Sequence, residues 1–245
     1  PLRVRACAAR AARRHTACAA ALAHTVLPPN RRHSLAGVTV DPPSLAVTVR
    51  VLRCSHQLVH RIAVAPDGRL VTSSGHEVAL WSLSSGEREA TLAGHTGNVY
   101  ALCPLTDGTN RLLSGGADQV ILMHELDAAH GGVSVPPTRE YHGHIDWVRA
   151  IVELTGGRFA AAGNERAVRI MATESGVCLA ATIGHRKVVS AMAATDDDTL
   201  VSGSWNGTMR VWDTRTHAAV ATIGTPSSIH SLLRLTDGTL ASGHK

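Results

Sequence analysis

Beyond residue 54, apolar positions occur in short runs of five to seven residues, interrupted by turn residues. The clearest unit reads VVSAMAA, TDDD, TLVSGSW, NG, TMRVWD, TRTH, AAVATIG from Val188 to Gly224. Alternating runs of this length, punctuated by Asp-Asp-Asp, Asn-Gly and Thr-Arg-Thr-His, predict four antiparallel strands joined by tight turns. Three other stretches fall in the same register: LVHRIAVAPDGRLVTSSGHEVALWS, VYALCPLTDGTNRLLSGGADQVILMHE and WVRAIVELTGGRFAAAGNERAVRIMAT. Inner strands are expected near Val99 to Cys103, Val148 to Val152 and Val188 to Ala193. The next strands are expected near Arg111 to Ser114, Arg158 to Ala161 and Thr199 to Ser202. A single small sheet cannot bury both its faces, so stacked neighbours must cover them.

The units are marked by a recurring Gly-His pair, at Gly94-His95, Gly143-His144 and Gly184-His185. The register extends back to Cys54 and on to Gly224, with spacings of 40, 49, 41 and 40 residues. A stretch from Ala46 to Arg53, AVTVRVLR, reads as an outer strand preceding the first unit. The last unit runs through Ile229, Asp237-Gly238 and Ser242-Gly243 to Lys245, without an outer half, and the chain opens on Pro1. The expectation is a piece of a longer protein.

Gly-His, then Ser-Gly-Ser-Trp-Asn-Gly, then Trp212-Asp213 about 26 residues after the pair, resembles the WD40 repeat family of β-propellers over residues 54–245. The fold this implies is all-β: a propeller of four-stranded antiparallel blades, here an incomplete ring. Residues 46–245 would form the partial propeller and residues 1–45 an N-terminal arm. Seven blades of about 41 residues would need about 290 residues, more than this chain supplies. An N-terminal strand such as Ala46 to Arg53 commonly closes the ring in this family.

His185, Ser202 and a nearby acid or amide tempt a Ser-His-Asp hydrolase reading. The same set recurs as His95, Ser114 and Asp118 and, degraded, as His144, Ala161 and Glu165. A catalytic site does not repeat once per sheet, so no catalytic residue and no enzyme is expected. The resemblance implies a structural relay instead. A third-strand Trp donates its indole N–H to a second-strand Ser or Thr, which meets the Gly-His imidazole, held in turn by an Asp between those strands. No unit has all four parts. The fourth has His185, Ser202 and Trp212 but Asn206 for the acid; the second has His124 for Trp; the third has Met171 there; the first keeps Thr72 and Trp81 but has Ser55 for His. His142 and His144 beside Glu140 belong to strand end and relay, and no metal or cofactor is expected.

The resemblance also implies a partner-binding face, formed by the residues flanking the first apolar residue of each first strand and the residue before each turn acid. These read Asn98 and Tyr100, Trp147 and Arg149, Val188 and Ser190, Ser228 and His230, with Ala117, Asn164 and Trp205. The chain has only four Trp, two Tyr and one Phe, so two Trp and a Tyr on this face are a large share of its aromatics. Trp, Tyr and Arg dominate binding hot spots because they bury much area with little rotamer loss. The alternative is that Trp147 and Trp205 pack between blades. An exposed aromatic pair with Arg149 suits a peptide with an apolar anchor and an acidic or phosphorylated neighbour.

Charge narrows the partner. Residues 1–53 hold nine Arg and one acid, whereas residues 54–245 hold 15 basic and 18 acidic residues. A phosphate-tracking groove needs clustered cations on the folded part, so nucleic acid is not the expected partner. The arm has ten Ala between Ala6 and Ala23 and no acid before Asp41. That composition fits a targeting segment, a disordered arm, or translated sequence that is not part of the working protein. Its longest small apolar run, Ala17 to Ala23, is far short of the roughly 20 residues that span a bilayer. Cys7, Cys18, Cys54, Cys103 and Cys178 show no C-x-x-C pair and read as reduced, buried thiols of an intracellular protein. The expected function is a non-enzymatic scaffold or adaptor in a multiprotein complex, cytoplasmic or nuclear unless the arm directs it to an organelle. The alternatives are a substrate receptor of the ubiquitin system and a nucleic-acid-associated protein acting through the Arg-rich tail.

Overall fold

The structure, a computed structural model, describes residues 58–245 except 128, 130, 196 and 197. The arm, the expected strand Ala46 to Arg53, Ser55 and the first three cysteines lie outside the described residues.

Every described element is a strand. The first sheet contains β1 (Val59–Val64), β2 (Leu70–Ser74), β3 (Glu77–Trp81) and β4 (Arg88–Leu92). The second unit of the chain runs through β5 (Val99–Pro104), β6 (Arg111–Gly116), β7 (Ile121–Glu125), β8 (Val133–Val135) and β9 (Arg139–Tyr141), of which β8 joins the first sheet. The third comprises β10 (Val148–Leu154), β11 (Arg158–Gly163), β12 (Ala167–Ala172) and β13 (Cys178–Ile183). The fourth comprises β14 (Val189–Ala194), β15 (Thr199–Ser204), β16 (Thr208–Asp213) and β17 (Ala219–Gly224). A two-stranded sheet of β18 (Ile229–Arg234) and β19 (Leu240–His244) follows. Inner strands β1, β5, β10, β14 and β18 are successive neighbours, and the described strands do not close into a ring.

One sheet departs from the four-strand expectation. β8 leaves the second unit and pairs in parallel with β4, so the first sheet has five strands, while β9 completes the second. The 49-residue spacing between Gly94 and Gly143 carried this extra strand. Its effect is to cover part of an edge whose backbone groups would otherwise be unpaired.

The core lies between consecutive sheets. Val71, Leu80 and Leu92 pack with Val99 and Leu112; Leu113 and Met123 pack with Val148, Phe159 and Met171; Ile170 packs with Val189, Leu200 and Trp212. This is the burial that the repeat demanded, each sheet supplying the other's second face. The small residue after each second-strand hydroxyl lets the next sheet approach. A Cβ on Gly115 would lie 2.7 Å from Val148 Cγ1, and one on Gly203 would lie 2.6 Å from Ile229 Cγ2.

At the far end of the strands an arginine joins each of the first three sheets to the next. Arg69 donates to the carbonyls of Leu126 and Ala129, Arg111 to Glu174 at 2.6 Å, and Arg158 to the carbonyl of Thr214 at 2.9 Å. Each guanidinium thus satisfies or pairs a group in the third-to-fourth-strand turn of the following sheet. Of the described cysteines Cys103 is buried, with its thiol pushed up to about 12 by burial, but Cys178 is exposed, contrary to expectation; both are free thiols. β13 is an outermost strand, which leaves its first residue uncovered.

Candidate functional site

The recurrent Ser, His and acid form buried hydrogen-bonded chains. In the fourth sheet Trp212 Nε1 donates to Ser202 Oγ at 2.8 Å, and Ser202 Oγ lies 2.6 Å from His185 Nε2. Burial, with Arg210 nearby, lowers the His185 pKa to about 4, so the ring is neutral at pH 7. Thr208 gives its proton to Asn206 Oδ1 and so accepts from Nδ1–H; the neutral ring then offers its lone pair at Nε2, to which Ser202 donates. Nδ1 faces Thr208 Oγ1 at 3.3 Å, which donates to Asn206 Oδ1 at 2.8 Å. Asn206 therefore does not hold His185 directly; Thr208 stands between them, a link invisible when Asn206 is aligned only with the expected acid.

The second sheet has His95 Nε2 at 2.9 Å from Ser114 Oγ and Nδ1 at 2.8 Å from Asp118. Burial opposes the Asp118 carboxylate, but His95 and the N–H groups of Thr96 and Gly97 outweigh it and hold its pKa below the usual range. His124, in the Trp position, instead donates from Nε2 to the Ala93 carbonyl at 2.8 Å. In the third sheet His144 Nδ1 pairs with Glu165, which also takes two bonds from Arg169 at 2.9 and 3.1 Å. Against burial, His144 and Arg169 lower the Glu165 pKa to about 2. Ala161 offers no hydroxyl, and His144 Nε2 has no partner. In the first sheet Trp81 Nε1 donates to Thr72 Oγ1 at 2.8 Å. Every one of these rings is buried between strands, out of reach of a substrate.

Replacing Ser202 by Ala should cost on the order of 2–4 kcal/mol, because Trp212 Nε1 and His185 Nε2 both lose a buried partner. Denaturant unfolding of the two proteins measures it. An unchanged midpoint would show that the chain contributes nothing.

The exposed chemistry is at the opposite end of the strands from the arginine links. Every inner strand has a register shift at its start, which leaves one residue extra: His60, Tyr100, Arg149, Ser190 and His230. A bulge bends the strand and re-aims the side chain of that residue. Here the extra residues recur once per sheet along one end of the array.

Arg149 is the centre of the resulting cluster. Its Cζ lies 5.0 Å from the Tyr100 ring, 5.2 Å from Trp147 and 4.9 Å from Trp205. Tyr100 and Trp147 stack at 5.5 Å, His60 meets Tyr100 edge-on at 4.9 Å, and His230 lies 5.9 Å from Trp205. Guanidinium over an aromatic face is attracted by about 0.5–1 kcal/mol per exposed contact, so three rings hold it firmly. Arg149 Nε also donates to Asn164 Oδ1 at 2.6 Å, while Asn164 Nδ2 donates to Asp146 at 3.2 Å. Asn98 Nδ2 approaches Tyr100 Oη at 3.4 Å.

The structure thus brings Tyr100, Trp147, Arg149, Asn164, Trp205 and His230 together, with Asn98 at their edge. Trp147 is 38% exposed, whereas Trp205 is half-buried and its Nε1 is buried without a partner. Ser190 does not join the face. It is buried, and its hydroxyl bonds to the carbonyls of Ile229 and Gly203, because its short side chain curls back from the bulge.

Beside the cluster lies a cavity of about 280 Å³, lined by Arg61, Leu102, Arg149, Met192 and His230 among others. His60 and Arg61 were not among the sequence-derived positions. Aligning the first unit in the same register exposes them: Arg61 stands where the other inner strands have Ala101, Ala150, Ala191 and Ser231. Among the described residues no group of His, Cys, Asp and Glu could hold a metal ion; His142 and Glu140 form only an exposed contact at 3.4 Å. No described helix is long and apolar enough to cross a membrane.

The family described as "WD domain, G-beta repeat" matches residues 86–125 and 176–213. A ribosome biogenesis protein WDR12 homolog of Drosophila persimilis is 28% identical over 188 residues, 68% of this chain and 44% of that protein. A guanine nucleotide-binding protein subunit beta of Zea mays is 27% identical over 179 residues, 66% of this chain and 45% of its own. This chain therefore spans less than half the length of either relative. The crystal structure of the WD40 β-propeller domain of Doa1 superposes with a TM-score of 0.64 at 22% identity, covering 73% of this chain and 58% of that one. The structure of U3-55K gives a TM-score of 0.67 at 22% identity, with 75% and 57% covered. WD40 repeats match at residues 86–125 and 176–213, and the fold of successive four-stranded antiparallel sheets is that of WD40 β-propeller domains.

Proposed function

We propose that this chain is a non-enzymatic interaction scaffold whose partner surface is the bulge-side cluster around Arg149. The observation that carries the reading is the convergence of Tyr100, Trp147 and Trp205 on one guanidinium at the end of the strands. Aromatics and arginine gathered in one partly exposed patch are the composition of a hot spot, while flanking polar groups form its rim. The Ser-His-acid sets support a non-catalytic reading, since they recur sheet by sheet and are committed to buried hydrogen bonds. Relatives named for ribosome biogenesis and as a subunit support a role inside a multiprotein assembly, in the cytoplasm or nucleus.

Trp147 is the clean test residue, because Trp205 is half-buried and its loss would also disturb packing. Trp147→Ala should weaken partner binding by more than about 1–2 kcal/mol while lowering stability much less than the 3–5 kcal/mol typical of a core Trp. Quantitative affinity capture and melting of the same 245-residue chains decide it. Unchanged capture by Trp147→Ala, or loss of all capture on deleting residues 1–45 alone, would overturn the reading; the second result would favour the Arg-rich arm.

A further inference from the structure

We infer that Arg61 and Arg149 form a two-guanidinium receptor for an oxyanion side chain of a partner peptide, with Tyr100 and Trp147 flanking the residue beside it. This deepens the partner-face reading and rests on it.

Arg69, Arg88, Arg111, Arg158 and Arg169 each sit within ion-pair distance of a carboxylate. Arg61 and Arg149 combine a shared cavity with the lack of a carboxylate partner among the described residues; Arg139, Arg166, Arg186, Arg210 and Arg215 also have no ion pair there, but they do not line that cavity. Among the described residues the only hydrogen bond of Arg61 runs to its neighbour's carbonyl, His60 O, at 3.3 Å. Among the described residues Arg149 uses Nε alone, towards Asn164, and its Nη1 and Nη2 have no hydrogen bond. The nearby acid, Asp146, takes the Trp147 N–H at 2.7 Å and the Asn164 amide at 3.2 Å on Oδ1 and acts on Arg149 through its charge, outside ion-pair distance.

Two like charges beside a shared cavity repel each other. Partial burial, together with the charge of Arg149, lowers the Arg61 pKa, and burial lowers that of Arg149. An anion between them relieves both effects. Arg149 is also held ready, its plane fixed by three rings and by Asn164, so little side-chain freedom remains to be lost on binding. Guanidinium forks match carboxylate and phosphate oxygens, and such charge-assisted bonds are about twice as strong as neutral ones. Charge selects a peptide over a nucleic acid. The segment 54–245 carries an excess of acids, and two arginines at one cavity do not make the stripe that a phosphate backbone follows. The adjoining Tyr100–Trp147 stack, with Trp147 exposed, fits an apolar neighbour in the same peptide.

The test uses the full 245-residue chain and three fluorescein-labelled degenerate heptapeptide pools, identical except for phosphoserine, Glu or Ser at the centre. Anisotropy should show the phosphoserine or Glu pool binding at least about tenfold tighter than the Ser pool, the gap between the two acidic pools separating phosphate from carboxylate. Arg61→Gln should remove that preference with a nearly unchanged melting temperature, since among the described residues the side chain makes no ion pair and only the one hydrogen bond to His60 O. Arg149→Gln should do the same if it folds, and Arg61→Gln decides the matter if it does not. Equal affinity of wild type and Arg61→Gln for the acidic pools overturns the receptor. So does binding of all three pools alike, or inorganic phosphate bound at the same site with no peptide preference. A single-stranded oligonucleotide that binds more tightly than any pool and is released by Arg61→Gln also overturns it. Loss of partner capture in Trp147→Ala alongside an indifferent Arg61→Gln would leave the partner face standing and remove only the oxyanion site.

Discussion

Gly163→Ala should destabilise the protein by about 3 kcal/mol or more and loosen the Arg149 cluster with it. A Cβ at Gly163 would lie 1.8 Å from the Trp147 carbonyl oxygen and 3.0 Å from the Arg149 amide nitrogen. Both atoms are backbone, so no rotamer change makes room. The strand pair would have to part at the bulge, breaking the bond from Asn164 N–H to the Trp147 carbonyl at 3.0 Å. Gly224→Ala is the control: nothing lies within 4 Å of its Cβ and β17 is exposed throughout, so the change should stay within about 0.5 kcal/mol. Melting curves of both variants, with partner capture on the folded fraction, check this. Equal melting temperatures for Gly163→Ala and wild type would mean that the close approach is not maintained in solution.

Acidification should remove stability in two successive ranges. His124 and His185 are buried, and burial foremost lowers each pKa from 6.5 to about 4. The unfolded chain therefore binds more protons than the folded one between those values. Their contribution is present above pH 6.5 and is lost as the pH falls through 4, on the order of 3 kcal/mol for each ring. Glu165 acts lower, since its ionised form is favoured in the fold: its contribution is lost as the pH falls from 4.5 towards 2. Urea unfolding at a series of pH values should show stability falling below pH 6.5, more gently in His124→Gln, which removes one of the two titrating rings. A flat profile between pH 6.5 and 4 would contradict the buried neutral state of both histidines.

These two effects belong to different parts of the chain's design. The glycine rule concerns how closely a bulged strand and its neighbour approach, and it supports the face. The histidines concern the interior links that keep each sheet in register. His124 shows the cost of a departure: lacking an indole, the second sheet has a histidine whose Nδ1 is buried with no partner. Ala161 has a parallel effect in the third sheet, where His144 Nε2 is left without the hydroxyl that His95 and His185 enjoy.

The alternation of apolar runs, the turn residues and the Gly-His period were enough to determine strands, sheets and the order of units. The inner strands begin and end within two residues of their expected bounds, because strand period and turn chemistry are local properties. The resemblance also pointed to Tyr100, Trp147, Arg149, Trp205 and His230 as candidates for one face. Three things depended on tertiary structure. The register shifts in the inner strands depend on pairing between strands far apart in sequence, and they decide that Arg149 meets three rings while Ser190 turns inward. The insertion shows in the sequence as spacing, but only the sheet edge it meets determines that β8 pairs with β4. The third is the link from His185 through Thr208 to Asn206, which exists because a turn folds a hydroxyl between two side chains whose alignment suggested direct contact. Local chemistry is written in neighbouring residues; the company a side chain keeps across strands and sheets is set by packing.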